Sequence, residues 1–218
     1  MVIENKKNNK FRYYLYVARH ESLITSNLLG CWHGLSVNMQ KRIEGNSMAF
    51  DNKNKRDILI IVNFPNIDKI REIQKKYYDI ADKIEPHIAV TFPFDSDISD
   101  EELYEKLSKA VEKYKPFKIT CHGVSTPVGE SDYRFLNVIE NKDMIKSMSD
   151  DIYKSIIPGE LEYRDRYNYD PHISLADMPL DEEIELDETF EMIVDSLYVE
   201  RIGDNDESIK LYDIKLKK

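Results

Sequence analysis

Two stretches decide the reading of this chain: EPHIAVTFPF at residues 85–94 and YDPHISLADMP at residues 169–179. Each opens its apolar run with Pro-His-Ile, and together they use two of only five histidines. Side chains alternate along a strand, so His87, Ala89 and Thr91 share one face while Ile88, Val90 and Phe92 share the other. In the second copy His172, Ser174 and Ala176 lie opposite Ile173 and Leu175. Each histidine therefore leaves the apolar face of its strand.

Working outward, DILIIVNF (residues 57–64) is a strongly apolar run before Pro65 and predicts a buried strand. Asn66 is placed to cap a helix carrying Ile67, Ile70, Tyr77 and Ile80 on one face. Ser99 with Glu102 forms a capping-box signature ahead of Leu103, Leu107, Ala110, Val111 and Tyr114 at helical spacing. FKITCHGV and YRFLNVI read as strands. A helix follows, with Met144, Ile145, Met148, Ile152 and Ile156 inward, stopped near Pro158-Gly159. EYRDRYNYD reads as a charged, Tyr-rich loop, and MIVDSLYVERIG with SIKLYDIKL as a hairpin around DNDE.

Strands and helices thus recur as two similar halves, their histidines ~85 residues apart, a spacing that suits a duplicated α+β lobe rather than a solenoid repeat. The expected fold is α+β: two pseudo-symmetric lobes of antiparallel sheet, helices packed outside and a cleft between them. The bilobal domain is expected over residues 56–218. Residues 1–55 read as an N-terminal extension without an assigned task.

Composition narrows the classes. A 41% hydrophobic chain of 218 residues with 11% aromatics can bury a substantial core. Its net charge of −10 works against general DNA binding, which depends on clustered Lys and Arg. Cys31 and Cys121 are isolated, with neither zinc nor disulfide spacing. The longest uncharged run, Ser22 to Gln40, is too polar for a membrane span. A cytoplasmic protein is expected.

If the lobes pack by pseudo-two-fold symmetry, the two imidazoles meet across the cleft. Imidazole titrates near ~6.5, so one can accept a proton while the other donates one, which suits phosphodiester chemistry. Ser174 stands two residues along its strand, roughly 6.6 Å from His172 at Cα, near enough to bind the same phosphate. Ala89 offers no hydroxyl at the matching place. A metal site would need further ligands; Asp170 and Asp177 flank the second motif, but neither a His-Glu-x-x-His sequence nor a Cys pair is present. EYRDRYNYD offers Arg164 and Arg166 for phosphate, and Tyr163, Tyr167 and Tyr169 for stacking on a base, unless it is an ordinary surface loop. His20, His33 and His122 have no second copy and read as structural or surface residues.

The paired motifs PHIAVTFPF and PHISLADMP, with FPFDSDISDEEL behind the first, resemble the paired His-x-Thr/Ser-x motifs of the two-histidine (2H) phosphoesterase superfamily, and most closely its bacterial 2′-5′ RNA ligase-like branch. The resemblance covers about Arg56 to Lys218. It implies a bilobal α+β fold, no metal or other cofactor, and action at ribose 2′ positions, on a 2′,3′-cyclic phosphate or a 2′-5′ linkage of a nucleotide or RNA end. By motif position it implies His87 and His172 as the acid-base pair and Ser174 as a phosphate ligand. Ala89 departs from the pattern, where the family usually has Thr or Ser. Thr91 is two positions further on, roughly 13 Å from His87 at Cα, and replaces that hydroxyl poorly. Two alternatives remain: a non-catalytic nucleotide- or RNA-end-binding protein with a degenerate first motif, and a metal-dependent hydrolase.

Overall fold

The computed structural model describes residues 54–127, 132–166, 168–179 and 181–217, with the backbone alone for Tyr163 and Arg166. The N-terminal extension expected at residues 1–55 therefore lies almost wholly outside the described residues, as do Cys31, His20, His33 and Tyr167.

The first strand, β1 (Lys55–Ile61), is buried from Arg56 to Ile60, as its apolar run requires. Helix α1 (Asp68–Tyr77) follows, but Asn66 does not cap it. Phe64, Asn66 and Ile67 already form a turn, with Ile67 N–H donating to the Phe64 carbonyl and Lys69 N–H to the Asn66 carbonyl. The cap position passes to Ile67, whose backbone is helical. By contrast, Ser99 caps α2 (Asp100–Val111) as its signature predicts, its Oγ accepting from Glu102 N–H at 3.1 Å. The Arg56 guanidinium ties that helix start to β1 through the Asp100 carboxylate and the Ser96 and Ile98 carbonyls.

The first histidine strand is shorter than its sequence suggests. β2 covers His87–Ala89 only. Val90 and Thr91 N–H both donate to the Ile58 carbonyl, two residues against one, which is a bulge. Alternation ends there, and Val90 and Thr91 are both buried. β3 (Phe94–Asp95) then pairs with the start of β1.

β4 (Phe117–Ser125) and β5 (Tyr133–Glu140) follow as predicted. Helix α3 (Lys142–Ile156) buries Ile145, Met148 and Ile152, together with Ser149 and Tyr153, while Met144 remains 38% exposed. The expected loop EYRDRYNYD instead begins as a short helix, α4 (Leu161–Arg166), before β6 (His172–Asp177). The run MIVDSLYVERIG is two strands, not one: β7 (Phe190–Val194) breaks at Asp195 from β8 (Ser196–Ile202), and β8 forms the expected hairpin with β9 (Ser208–Lys215).

All nine strands of the described residues join one curled antiparallel sheet, a half-barrel, in the order β7-β4-β5-β6-β2-β1-β8-β9, with β3 beside β1. The two halves meet at β6 and β2, and the order is symmetric about that seam. Each histidine strand has as its outer neighbour the strand that precedes its helix, β1 for β2 and β5 for β6. The chain also crosses over. β4 leaves the first half to flank β5, and β8 returns from the second half to flank β1. The pseudo-symmetric α+β arrangement thus stands, but the halves share a single core: Ile60, Ile88, Leu136, Ile173 and Val199 of the sheet pack with Ile70, Leu107, Met148 and Ile152 of the helices. No helix among the described residues is long and apolar enough to cross a membrane.

Candidate active site

At the seam, β2 and β6 pair through Ile88 and Ile173, both fully buried. In an antiparallel pair this register sets Ser174 beside His87 and Ala89 beside His172. Each motif's third residue therefore adjoins the other motif's histidine. Directly opposite Cβ atoms lie about 4.5–5.5 Å apart and the diagonal neighbours His87 and His172 about 7–8 Å, a gap that a phosphate group can bridge. The same face continues outward through Ile61 beside His87 on one side, and through Phe135 beside Ser174 and Asn137 beside His172 on the other.

The two imidazoles are held identically. His87 Nδ1 lies 2.9 Å from the Glu85 carbonyl, and His172 Nδ1 lies 2.6 Å from the Asp170 carbonyl. A carbonyl only accepts, so Nδ1 carries the proton in both rings and Nε2 is left as the basic atom. Neither Nε2 has a hydrogen-bond partner among the described residues. Phe135 stacks on the His172 ring with centroids 3.6 Å apart, and buried Gln74 of α1 donates to the Ser174 carbonyl at 2.7 Å. Asp170, whose carbonyl orients His172, is itself held by Lys142 at 2.6 Å and Lys146 at 2.9 Å.

Burial lowers both imidazole pKa values below their ordinary 6.5. The Glu85 carbonyl offsets this in part for His87. For His172 the Asp170 carbonyl and carboxylate raise the value again, while a charge on His87 lowers it. The rings are a coupled pair in which protonating one opposes protonating the other. The arrangement can hold one proton between two Nε2 atoms on a common face.

The remaining candidates fall elsewhere. Thr91 is 1% exposed, and its hydroxyl is spent on the bulge: it donates to the Asp57 carboxylate and accepts from Ile58 N–H, each at 3.1 Å. It does not stand in for the hydroxyl missing at Ala89. Arg164 is buried and ion-paired with Asp150 and Asp165, and its guanidinium lies over the Tyr153 and Tyr169 rings. That charge is neutralised within the protein rather than offered to phosphate. Tyr169 donates its hydroxyl to the Ala89 carbonyl at 2.7 Å and packs edge-on against Phe92, so it braces the first motif. Burial raises its phenol well above the ordinary value, keeping it a donor. The side chain of Arg166 lies outside the described residues. Cys121 is buried, which pushes its thiol up to about 12, as suits an inert packing residue. Among the described residues no three ligand-type side chains cluster as a metal site would require.

Sequence reasoning missed Phe135, Asn137 and the buried carboxylates Asp57 and Glu200, which face each other across β1 and β8. Burial raises both carboxyl pKa values, and for Asp57 the Glu200 charge raises it further. The alternation in YRFLNVI marks Phe135 and Asn137 as sharing a face, but nothing local sets that face beside His172.

Comparison with known proteins agrees with this architecture. No curated protein sequence matches the chain. Among solved structures, LigT of E. coli complexed with 3′-AMP is 15% identical, with a TM-score of 0.51 over 76% of this chain and 99% of that one. TT0787 of Thermus thermophilus is 13% identical, with a TM-score of 0.52 over 74% of this chain and 97% of that one. A structure described as a phosphoesterase is 14% identical, with a TM-score of 0.52 over 76% and 99%. These likenesses concern the fold. A family model matches residues 62–205, spanning both histidine motifs and the sheet seam between them, so the chain belongs to the 2′-5′ RNA ligase superfamily.

Proposed function

We propose that this protein is a phosphodiesterase acting at ribose 2′ positions of nucleotides or RNA ends, through His87 and His172 and without a metal. The observation that carries the reading is the matched Nδ1 anchoring, which leaves two Nε2 atoms on one face of the seam. With a 2′,3′-cyclic phosphate between them, one Nε2 takes a proton from water as its oxygen bonds to phosphorus. The other gives its proton to the ribose oxygen as that P–O bond breaks. Ser174 Oγ, beside His87, donates to a nonbridging oxygen. The LigT structure with 3′-AMP is consistent with a nucleotide ligand.

The test is turnover of 2′,3′-cyclic nucleotides, cyclic-ended RNA and 2′-5′ oligonucleotides with EDTA present. The sign of the pH dependence follows from burial. Catalysis needs one imidazole charged, and lowered pKa values mean that the free protein loses that proton below its ordinary titration point. The kcat/KM profile should therefore be bell-shaped, with both its optimum and the onset of its alkaline fall below the ordinary imidazole value of about 6.5. An anionic substrate favours the imidazolium, so kcat should hold to higher pH than kcat/KM. A rate that is flat from pH 5 to 9, or abolished by EDTA, would sink the mechanism.

Ala89 supports a second reading, a nucleotide- or RNA-end-binding protein that has lost efficient chemistry. Ala89→Thr is expected to raise cleavage of a 2′,3′-cyclic substrate several-fold, because the new hydroxyl would stand beside His172 as Ser174 stands beside His87. Binding without turnover in both the wild type and Ala89→Thr would favour the second reading.

A further inference from the structure

A cavity of about 740 Å³ lies beside the histidine face, lined in part by Ile61, Lys75, Pro86, Tyr198, Ser208 and Lys210. It adjoins the first histidine strand: Pro86, next to His87 in the chain, is part of its lining. Ile61 is the cross-strand neighbour of His87, and Tyr198 adjoins Leu59, which adjoins Ala89. One row of residues thus runs Tyr198, Leu59, Ala89, His172 across four strands; Leu59 within it is fully buried, and Tyr198 at its outer end, about 10 Å from β2 by strand spacing, lines the cavity.

Its lining is that of a nucleotide site rather than of a greasy slot. The half-buried Tyr198 ring forms one wall, with the Lys210 ammonium 5.2 Å from its centre. The Ser208 hydroxyl donates to the Glu200 carboxylate and lies 3.3 Å from the Tyr198 hydroxyl, which it holds at the cavity wall. Arg71 and Lys210 are paired with Glu85 and Asp213, but Lys75 has no partner among the described residues and stands as a free cation. A ring for stacking, hydroxyls and carboxylates for sugar and base edges, and one uncommitted ammonium for a phosphate together fit a single nucleotide.

Resting on the function proposed above, we infer that this cavity takes the nucleotide adjoining the one whose phosphate lies between the histidines. The preferred substrate is then an RNA terminus of at least two nucleotides, not a free mononucleotide. Tyr198 stacks on the neighbouring base and Lys75 neutralises the neighbouring phosphate.

The experiment compares kcat/KM for adenosine 2′,3′-cyclic monophosphate and for a triadenylate ending in a 2′,3′-cyclic phosphate. The wild type should favour the triadenylate at least tenfold. Tyr198→Ala and Lys75→Glu should each shrink that ratio at least fivefold, chiefly through KM, while Tyr198→Phe retains it because the ring survives. A wild-type ratio near one, or a ratio unmoved by Tyr198→Ala and Lys75→Glu, overturns the inference. If neither compound is turned over, the proposed function fails and binding judges the cavity. Calorimetric titration should then show 3′-phosphorylated triadenylate binding at least tenfold tighter than 3′-AMP, with the difference lost in Lys75→Glu. Equal binding, or none of either, overturns it.

Discussion

His87→Ala and His172→Ala are each expected to lower kcat/KM on a 2′,3′-cyclic substrate by about 10²–10⁴-fold, the range general acid-base groups contribute. Neither ring is a core residue: both are half-buried, and their hydrogen bonds go to local carbonyls, so the variants should keep the wild-type circular dichroism and melting behaviour. The matched geometry makes the two losses similar, since each removes one Nε2 from the same proton-transfer pair. They should also be non-additive. Once either partner is gone the remaining imidazole has no counterpart, and the double variant should be little worse than the singles. His87→Asn and His172→Asn sharpen the test, because the amide can still donate to the carbonyl two residues back but cannot titrate. Near wild-type turnover in a folded Asn variant would remove that histidine from the mechanism.

Ile173→Ala and Ile88→Ala are expected to cost about 2–5 kcal/mol of stability each, the range for truncating a fully buried isoleucine without collapse of the site. These side chains form the seam pair between β2 and β6, are 0% exposed, and join the halves of the sheet into one core. The control is Ile193→Ala on β7, where the side chain is 57% exposed and truncation should fall within about 0.5 kcal/mol. Urea unfolding of the three variants gives the comparison directly. Activity should fall with stability at the seam alone, since Ile88 and Ile173 set the register that holds His87 beside Ser174 and Ala89 beside His172. A seam variant no less stable than Ile193→Ala would show that the halves are held elsewhere.

Local pattern and chemistry carried much of the fold. Strand alternation is a property of the backbone, so EPHIAVTFPF and YDPHISLADMP show by themselves that both histidines leave the apolar face. The Ser99 cap is equally local, because its partner N–H is three residues away. The β8–β9 hairpin and the inner face of α3 were legible for the same reason.

What failed depended on partners distant in the chain. The bulge that ends β2 and takes Thr91 from the site is made by Ile58 and Asp57, whose contacts with Thr91 span 33 and 34 positions. Arg164 reads as a free cation in EYRDRYNYD until α3 brings Asp150 to it. The split of MIVDSLYVERIG between the two halves follows from β7 choosing β4 and β8 choosing β1. The sequence determined by itself which residues are polar on a face, which cap a helix, and that two histidine strands exist. Tertiary structure alone decided which strand lies beside which, and hence that Ser174 adjoins His87, Phe135 stacks on His172 and Tyr198 lines the same face. Period-two alternation specifies a side but carries no information about the neighbour across the ladder, which is chosen by burial summed over the whole sheet.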